Sequence, residues 1–206
     1  MRLAIIGSGD LALTLAHRLT TTGHEVLIAG VHGPEEIRDV AAATTAAPAP
    51  IEDAGKLAEV VFLVIPFGRH RQLPADAFAG KIVVDATDYF PDRDGRITEL
   101  DEGRTTSTEL LARHLRGARL VKAFNTINFL ALGAVGRLSA DVTPVAVPMA
   151  GDDQAAKRVV EQLVVDLGFV PVDVGRLADS WRMQPGMPIH RLVTDERQIR
   201  AALDAP

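Results

Sequence analysis

Short apolar runs alternate with amphipathic stretches along this chain, and the spacing predicts strands and helices in turn. Strands are expected at Arg2–Ile6, Glu25–Ala29, Val60–Ile65, Lys81–Asp85, Arg119–Ala123, Val145–Ala150 and Phe169–Asp173, with a weaker one near Thr44–Ala47. Several carry Val, Ile or Leu on both faces, as strands do when helices cover both sides of a parallel sheet. The first helix is expected over Asp10–Thr21, ending at Gly23, which suits a left-handed cap. Another starts at Thr106, where Glu109 three residues on completes a capping box. A third follows Asp152 and Asp153, carries Val159, Val160 and Leu163 on its apolar side, and stops at Gly168. A short last helix is expected over Asp195–Leu203. Two segments read as irregular: Ala41–Pro50, a connection with a short edge strand, and the polar, turn-rich Asp88–Thr105. The second follows a strand end, at the edge where doubly wound sheets bind ligands.

Composition narrows the function classes. Of 206 residues, 47% are hydrophobic, enough for a sizeable core. There is no cysteine, which removes disulfides, thiolate nucleophiles and thiolate metal sites. A formal net charge of -5 gives no footprint for nucleic acid. No apolar run approaches the length of a membrane span. The expected partners are therefore small molecules, with neither nucleic acid nor membrane, and the default compartment is the cytoplasm.

The strongest motif is Gly7-Ser8-Gly9-Asp10-Leu11-Ala12, directly after the first strand and opening the first helix. It fits the G-x-G-x-x-G/A dinucleotide fingerprint, with Ala12 in the third slot. Gly7 permits the tight turn, Gly9 lets backbone approach a pyrophosphate, and Ala12 lets helix pack on strand. Free N–H groups at the helix start then meet the negative phosphates. Asp10 departs from this logic and is expected to face solvent as a first-turn acid. The second strand ends in Gly30-Val31-His32-Gly33, without the Asp or Glu that holds the ribose hydroxyls of NAD. That tip imposes no like charge on a 2′-phosphate, and His32 reads either as a contact for one or as a solvated loop histidine. At the ends of later strands stand Ile65-Pro66-Phe67, with Phe67 either an apolar wall or a core aromatic, then Ala86-Thr87 and Asn125-Thr126. The fold expected is α/β: a doubly wound, mostly parallel sheet of the Rossmann-like NAD(P)-binding type with a short C-terminal extension. Residues 1–175 form the dinucleotide-binding domain, and 176–206 an extension packed on the same domain or on a dimer partner.

The sequence also resembles a family of small reductases similar to the NADPH-dependent reductase of the deazaflavin coenzyme F-420, related to the cytosolic domain of the STEAP ferric reductases. The resemblance rests on GSGDLALTLAHRLTTTGHEV, FLVIPF, VVDATDYFPD followed by TTSTELLARHL, LVKAFNT, and AGDDQAAKRVVEQLVVDLGFVPVDVG. It implies pyrophosphate contacts at Ser8, Gly9, Asp10 and Leu11, and nicotinamide and ribose contacts around Ile65, Pro66, Phe67 and Ala86. The electron-accepting ring would lie near Asn125 and Thr126. Two departures stand out. Many members have Ser-Arg to grip the 2′-phosphate where this chain has Val31-His32, and the tail Trp181–Gly186 differs from the apolar helical end of the F-420 reductases.

The implied chemistry is hydride transfer between NADP(H), or NAD(H), and a flavin or deazaflavin such as F-420. Such a transfer needs proximity and ring orientation and no side-chain acid or base. That agrees with a sequence showing no catalytic dyad and no metal-ligand cluster: His17, His24 and His114 read as surface residues, and His70 and His190 have no recognisable partner. Two other readings stay open, a non-catalytic NAD(P)-binding sensor or scaffold and, behind it, a small carbonyl or imine dehydrogenase. Trp181, the single tryptophan, is expected to pack over the cleft or across a dimer partner, or else to plug the core under the last helix.

Overall fold

The structure, a computed structural model, describes residues 1–134 and 144–204. Its strands are β1 (Arg2–Ile6), β2 (Glu25–Ala29), β3 (Ala47–Pro48), β4 (Val60–Leu63), β5 (Ile82–Asp85), β6 (Arg119–Ala123), β7 (Ala146–Gly151) and β8 (Val170–Gly175). Together they make one sheet in the order β3-β2-β1-β4-β5-β6-β7-β8. All neighbouring pairs are parallel except β6 with β7. The doubly wound, mostly parallel α/β fold expected from the apolar runs is present. Strand β1 shows why those runs are continuous: Leu3 and Ile5 join the core on one face, Ala4 and Ile6 the core on the other, and all four are fully buried.

The helices are α1 (Asp10–Thr21), α2 (Arg38–Ala43), α3 (Ile51–Leu57), α4 (Pro91–Asp94), α5 (Thr98–Asp101), α6 (Ser107–His114), α7 (Phe129–Ala134), α8 (Gln154–Asp166) and α9 (Glu196–Asp204). The caps read from sequence are made. The Thr106 hydroxyl accepts from the Glu109 N–H at 3.1 Å, and the Glu109 carboxylate accepts from the Thr106 N–H at 2.8 Å. At the start of α8, Asp153 accepts from the Ala156 N–H. Elsewhere the expectations shift. The fourth strand ends at Leu63, and Val64, Ile65 and Pro66 follow it at the carboxyl edge, with the Val64 N–H still donating to the Ile6 carbonyl. The weak strand near Thr44–Ala47 is a two-residue pairing at Ala47–Pro48, and α2 takes the start of the connection read as irregular. Segment 88–105 is not wholly irregular either, holding the single-turn helices α4 and α5. Helix α3 has no strong sequence signal, since it is short and contains Gly55. A Cβ at Gly55 would lie 2.8 Å from the Phe78 ring, so the glycine is the condition for close packing there.

Beyond β8 the chain makes a tight helical turn over Leu177–Met183 before α9. Met183, Ile189 and Ile199 are buried in a third cluster with Ala146, Ala150 and Val172. Trp181 does not plug this core and does not cover the cleft described below. It is 46% exposed, with the Arg182 guanidinium 5.1 Å from its ring, beside a separate hollow formed with Met187, Ile189 and Leu203. Among the described residues no helix is long and apolar enough to cross a membrane.

Two polar groups inside the fold fix the loops that matter later. At the end of β5, Asp85 is fully buried and faces Lys122 of β6 across 3.1 Å. Its other acceptor positions are filled by the Thr87 N–H at 3.0 Å, the Thr87 hydroxyl at 2.6 Å and the Thr108 hydroxyl at 2.6 Å. Lys122 also donates to the Thr87 carbonyl. After β4, a turn over Phe67–Gln72 buries Phe67 and stacks His70 on its ring at 4.5 Å. The His70 ring hydrogen-bonds the Phe67 carbonyl, and His114 stands edge-on at 6.0 Å with its own bond to the Leu73 carbonyl. Burial holds His70 below the ordinary imidazole range, aided by the charges of His114 and Arg71 and opposed by the Phe67 carbonyl.

Both groups give tests. Lys122→Met leaves the Asp85 carboxylate buried without its cation, and is expected to cost about 3–5 kcal/mol in chemical denaturation. A loss below about 1 kcal/mol would mean that the pair does not hold β5 to β6. For His70 the native state binds its proton less readily than the unfolded chain. Its contribution is therefore complete above about pH 6.5 and shrinks as pH falls below that value. Thermal melts between about pH 7.5 and 5.5 should show the parent losing stability as pH drops, with a shallower slope in His70→Leu. Equal slopes would contradict this assignment.

Candidate functional site

The turn between β1 and α1 is set by Gly7. It has φ 144°, and a Cβ there would stand 2.1 Å from the Val64 carbonyl oxygen, so no other residue fits. Gly7 N–H donates to the Ala29 carbonyl at 2.9 Å, tying the loop to β2. Gly9 is the N-cap of α1, and no side chain caps this helix start. The first-turn N–H groups are thus left for a ligand, at the positive end of a twelve-residue helix. A Cβ at Gly9 would meet nothing within 4 Å, so that glycine keeps open a space into which the loop faces. Asp10 is exposed to solvent, as expected of a first-turn acid.

Above this loop lies a cleft of about 650 Å³ along the carboxyl edge of β1, β4 and β5. It brings together Gly7, Ser8, Gly9, Asp10, Leu11, His32, Ile65, Pro66, Ala86 and Thr87, from four separate strand ends. Gly30 and Val31 line an adjoining hollow that shares His32 with the cleft. Phe67 is the core aromatic of the two readings, fully buried beneath the cleft against His70. Asn125 and Thr126 are buried and do not line the cleft. Asn125 donates to the Asp88 carboxylate at 2.9 Å and to the Met183 carbonyl at 2.7 Å, so it touches the cleft through Asp88. The backbone enters this position under strain, since Phe124 has φ 65° with its ring packed against Phe62.

The structure adds residues that sequence reasoning did not single out: Glu36, Val64, Arg69, Asp88, Arg93 and Arg191 also line the cleft. Glu36 corrects the expectation of a strand tip free of carboxylate. Gly33, at φ 101°, reverses the chain, and the turn over Pro34–Ile37 returns Glu36 to the tip of β2. Its carboxylate accepts from the His32 backbone N–H at 2.8 Å, from Arg69 at 3.0 Å and from the Ser8 hydroxyl at 3.4 Å. His190 is likewise not partnerless: its ring meets the Asp88 carboxylate at 3.1 Å, with both side chains largely buried. The signal for Asp88 was its place in a polar loop after a strand end, whereas the partners 102 positions apart left no local trace.

Asp94 joins the two loops that flank the cleft. Its carboxylate accepts from the Phe90 N–H at 2.9 Å and pairs with Arg93, and its backbone carbonyl comes within 3.0 Å of where a Gly68 Cβ would be. Burial pushes this carboxyl up, but hydrogen bonds from Arg93 and from the Phe90 and Gly68 N–H groups outweigh it and hold the group below the usual carboxylate range. Lining groups from 66–69 and 88–93 are therefore braced against one another. The arrangement suits an elongated anionic ligand whose phosphates meet the start of α1 and whose far end lies between Ile65, Pro66, Ala86 and Thr87.

Comparison with known proteins agrees with this fold. Residues 2–89 match the family described as NADP oxidoreductase, coenzyme F420-dependent. The metalloreductase STEAP3 of the rat is 32% identical over 181 residues, which is 87% of this chain and 35% of that protein. The chain thus spans about a third of the length of that curated relative. Among solved structures, the hypothetical protein SMa0349 from Sinorhizobium meliloti is 32% identical with a TM-score of 0.82, covering 95% of this chain and 96% of its own. A candidate F420-dependent NADP reductase from an Arthrobacter species is 26% identical with a TM-score of 0.73, covering 88% and 87%.

Proposed function

The chain belongs to the family of coenzyme F420-dependent NADP oxidoreductases, matched by residues 2–89, and from the cleft that those residues begin we propose that it is an NAD(P)H-dependent oxidoreductase transferring hydride between NADP(H) and a flavin or deazaflavin acceptor. The observation that carries this reading is the uncapped start of α1 beneath an open space at Gly9, the space a pyrophosphate requires.

The residues present fit a dinucleotide. Ser8, Gly9, Asp10 and Leu11 supply backbone N–H groups to the pyrophosphate, and Gly7 sets their direction. His32 stands beside the adenosine ribose. Ile65, Pro66, Ala86 and Thr87 form the wall of the nicotinamide half, where apolar contact orients the ring and excludes water. When bound, the nicotinamide supplies the hydride. The protein's task is to hold donor and acceptor rings in contact, and Asp85 and Lys122 serve it by fixing Thr87. Arg93, Arg191 and Asp88 line the same edge, where the acceptor would enter, and Asn125 holds Asp88 by a hydrogen bond. The two arginines favour an acceptor that carries negative charge.

Two measurements test the proposal. Gly9→Val puts a branched side chain into the open space, where its Cβ meets no protein atom within 4 Å, so it should abolish NADPH binding in calorimetry and leave the fold largely intact. Unchanged NADPH affinity would remove the coenzyme assignment. Oxidation of NADPH and NADH should then be followed by nicotinamide absorbance against F420, FMN, FAD, ferric chelates and small carbonyls. Turnover with a flavin or deazaflavin is expected. Coenzyme bound but oxidised by none of these would leave a nucleotide-binding sensor in place of an enzyme.

A further inference from the structure

Three charged or polar groups converge at the tip of β2 from different parts of the chain. Glu36 arrives from the turn over Pro34–Ile37, Arg69 from the turn after β4, and Ser8 from between the two glycines of the first loop. The Glu36 carboxylate is the fixed member. One oxygen is held by the His32 backbone N–H at 2.8 Å, and the side chain is 16% exposed. Arg69 pairs with the other oxygen at 3.0 Å and is 37% exposed, so it is the member free to turn. Both line the cleft.

Their position has a chemical meaning if the phosphates lie at the start of α1. The next group outward toward β2 is then the adenosine ribose, and the contact of Glu36 with Ser8 places a carboxylate beside it. In the linear fingerprint an acid stands about 20 residues past the last small residue, and here that position holds His32. The turn through Gly33 supplies the acid from four residues further along. A carboxylate accepts hydrogen bonds from the vicinal hydroxyls of NAD(H), and repels the 2′-phosphate of NADP(H), which carries close to two negative charges. A guanidinium does the reverse, forking onto phosphate and offering little to a diol. Without coenzyme the two side chains neutralise each other.

Resting on the dinucleotide reading above, we propose that Glu36 and Arg69 are the coenzyme-selecting pair of this protein: Glu36 receives the ribose hydroxyls of NAD(H), and Arg69 turns from Glu36 to receive the 2′-phosphate of NADP(H). The chain therefore accepts both coenzymes. Its preference is set by the balance of this pair rather than by the residues at 31 and 32.

The test is calorimetric titration of the parent, Glu36→Gln and Arg69→Gln with NADH and with NADPH, at one pH and ionic strength. Glutamine at 36 keeps a carbonyl for the His32 N–H, so the tip turn survives, and equal melting temperatures verify it. Glu36→Gln is expected to tighten NADPH about tenfold and to weaken NADH several-fold. Arg69→Gln is expected to weaken NADPH about tenfold while NADH holds or tightens. The ratio of the two dissociation constants thus moves in opposite directions in the two variants. A ratio that stays within about twofold of the parent, or a shift of both coenzymes by one common factor, overturns the proposal. A parent that binds neither coenzyme would instead sink the dinucleotide reading itself.

Discussion

A charged pair with no access to water organises the working half of this protein. Asp85 and Lys122 lie under the carboxyl edge of the sheet, and burying them is tolerable because each pairs with the other and with neighbouring threonines. Thr87 gives both its N–H and its hydroxyl to Asp85 and its carbonyl to Lys122, so the chain leaving β5 has little freedom. Thr108 brings the first turn of α6 into the same knot. From there the polar contacts run outward through Asp88 to Asn125 and His190. One wall of the cleft is therefore an outgrowth of a core interaction, and its geometry is as stiff as the sheet beneath it.

The other wall is built differently. Gly7 and Val64 approach so closely that backbone shape alone fixes the first loop. Opposite it, Arg69 and Pro66 ride on a turn anchored by Phe67 and His70 inside the core. Asp94 then spans from this turn to the loop after β5. A rigid cleft of this kind suits chemistry in which alignment of two rings does most of the work.

Much of this was legible in the sequence, for identifiable reasons. Strands such as β1 are apolar on both faces because both faces are covered, and α6 and α8 carry their N-caps in the residues themselves. The glycine loop could be read because its function depends on backbone, which local sequence controls. What escaped was set by contacts between distant residues. Helix α3 exists because Gly55 fits against Phe78, a fact about packing and not propensity. Glu36 stands seven positions past the end of β2, and only the reversal at Gly33 makes it a cleft residue. Phe67 belongs to the core because the turn after β4 folds inward, and His190 found Asp88 only through the path of the tail.

That path follows from the one reversal in the sheet. Because β7 runs against β6, and β8 follows β7, the chain leaves β8 at the edge away from the cleft. The tail must cross back, and does so through Met183, whose carbonyl meets Asn125, to bring His190 and Arg191 to the cleft. The site thus joins residues 7–11 to residues 190–191, a pairing of very high sequence separation. Contacts of that span carry a high loop-closure cost. During synthesis residues 7–11 emerge long before Arg191, so the finished cleft waits for the tail.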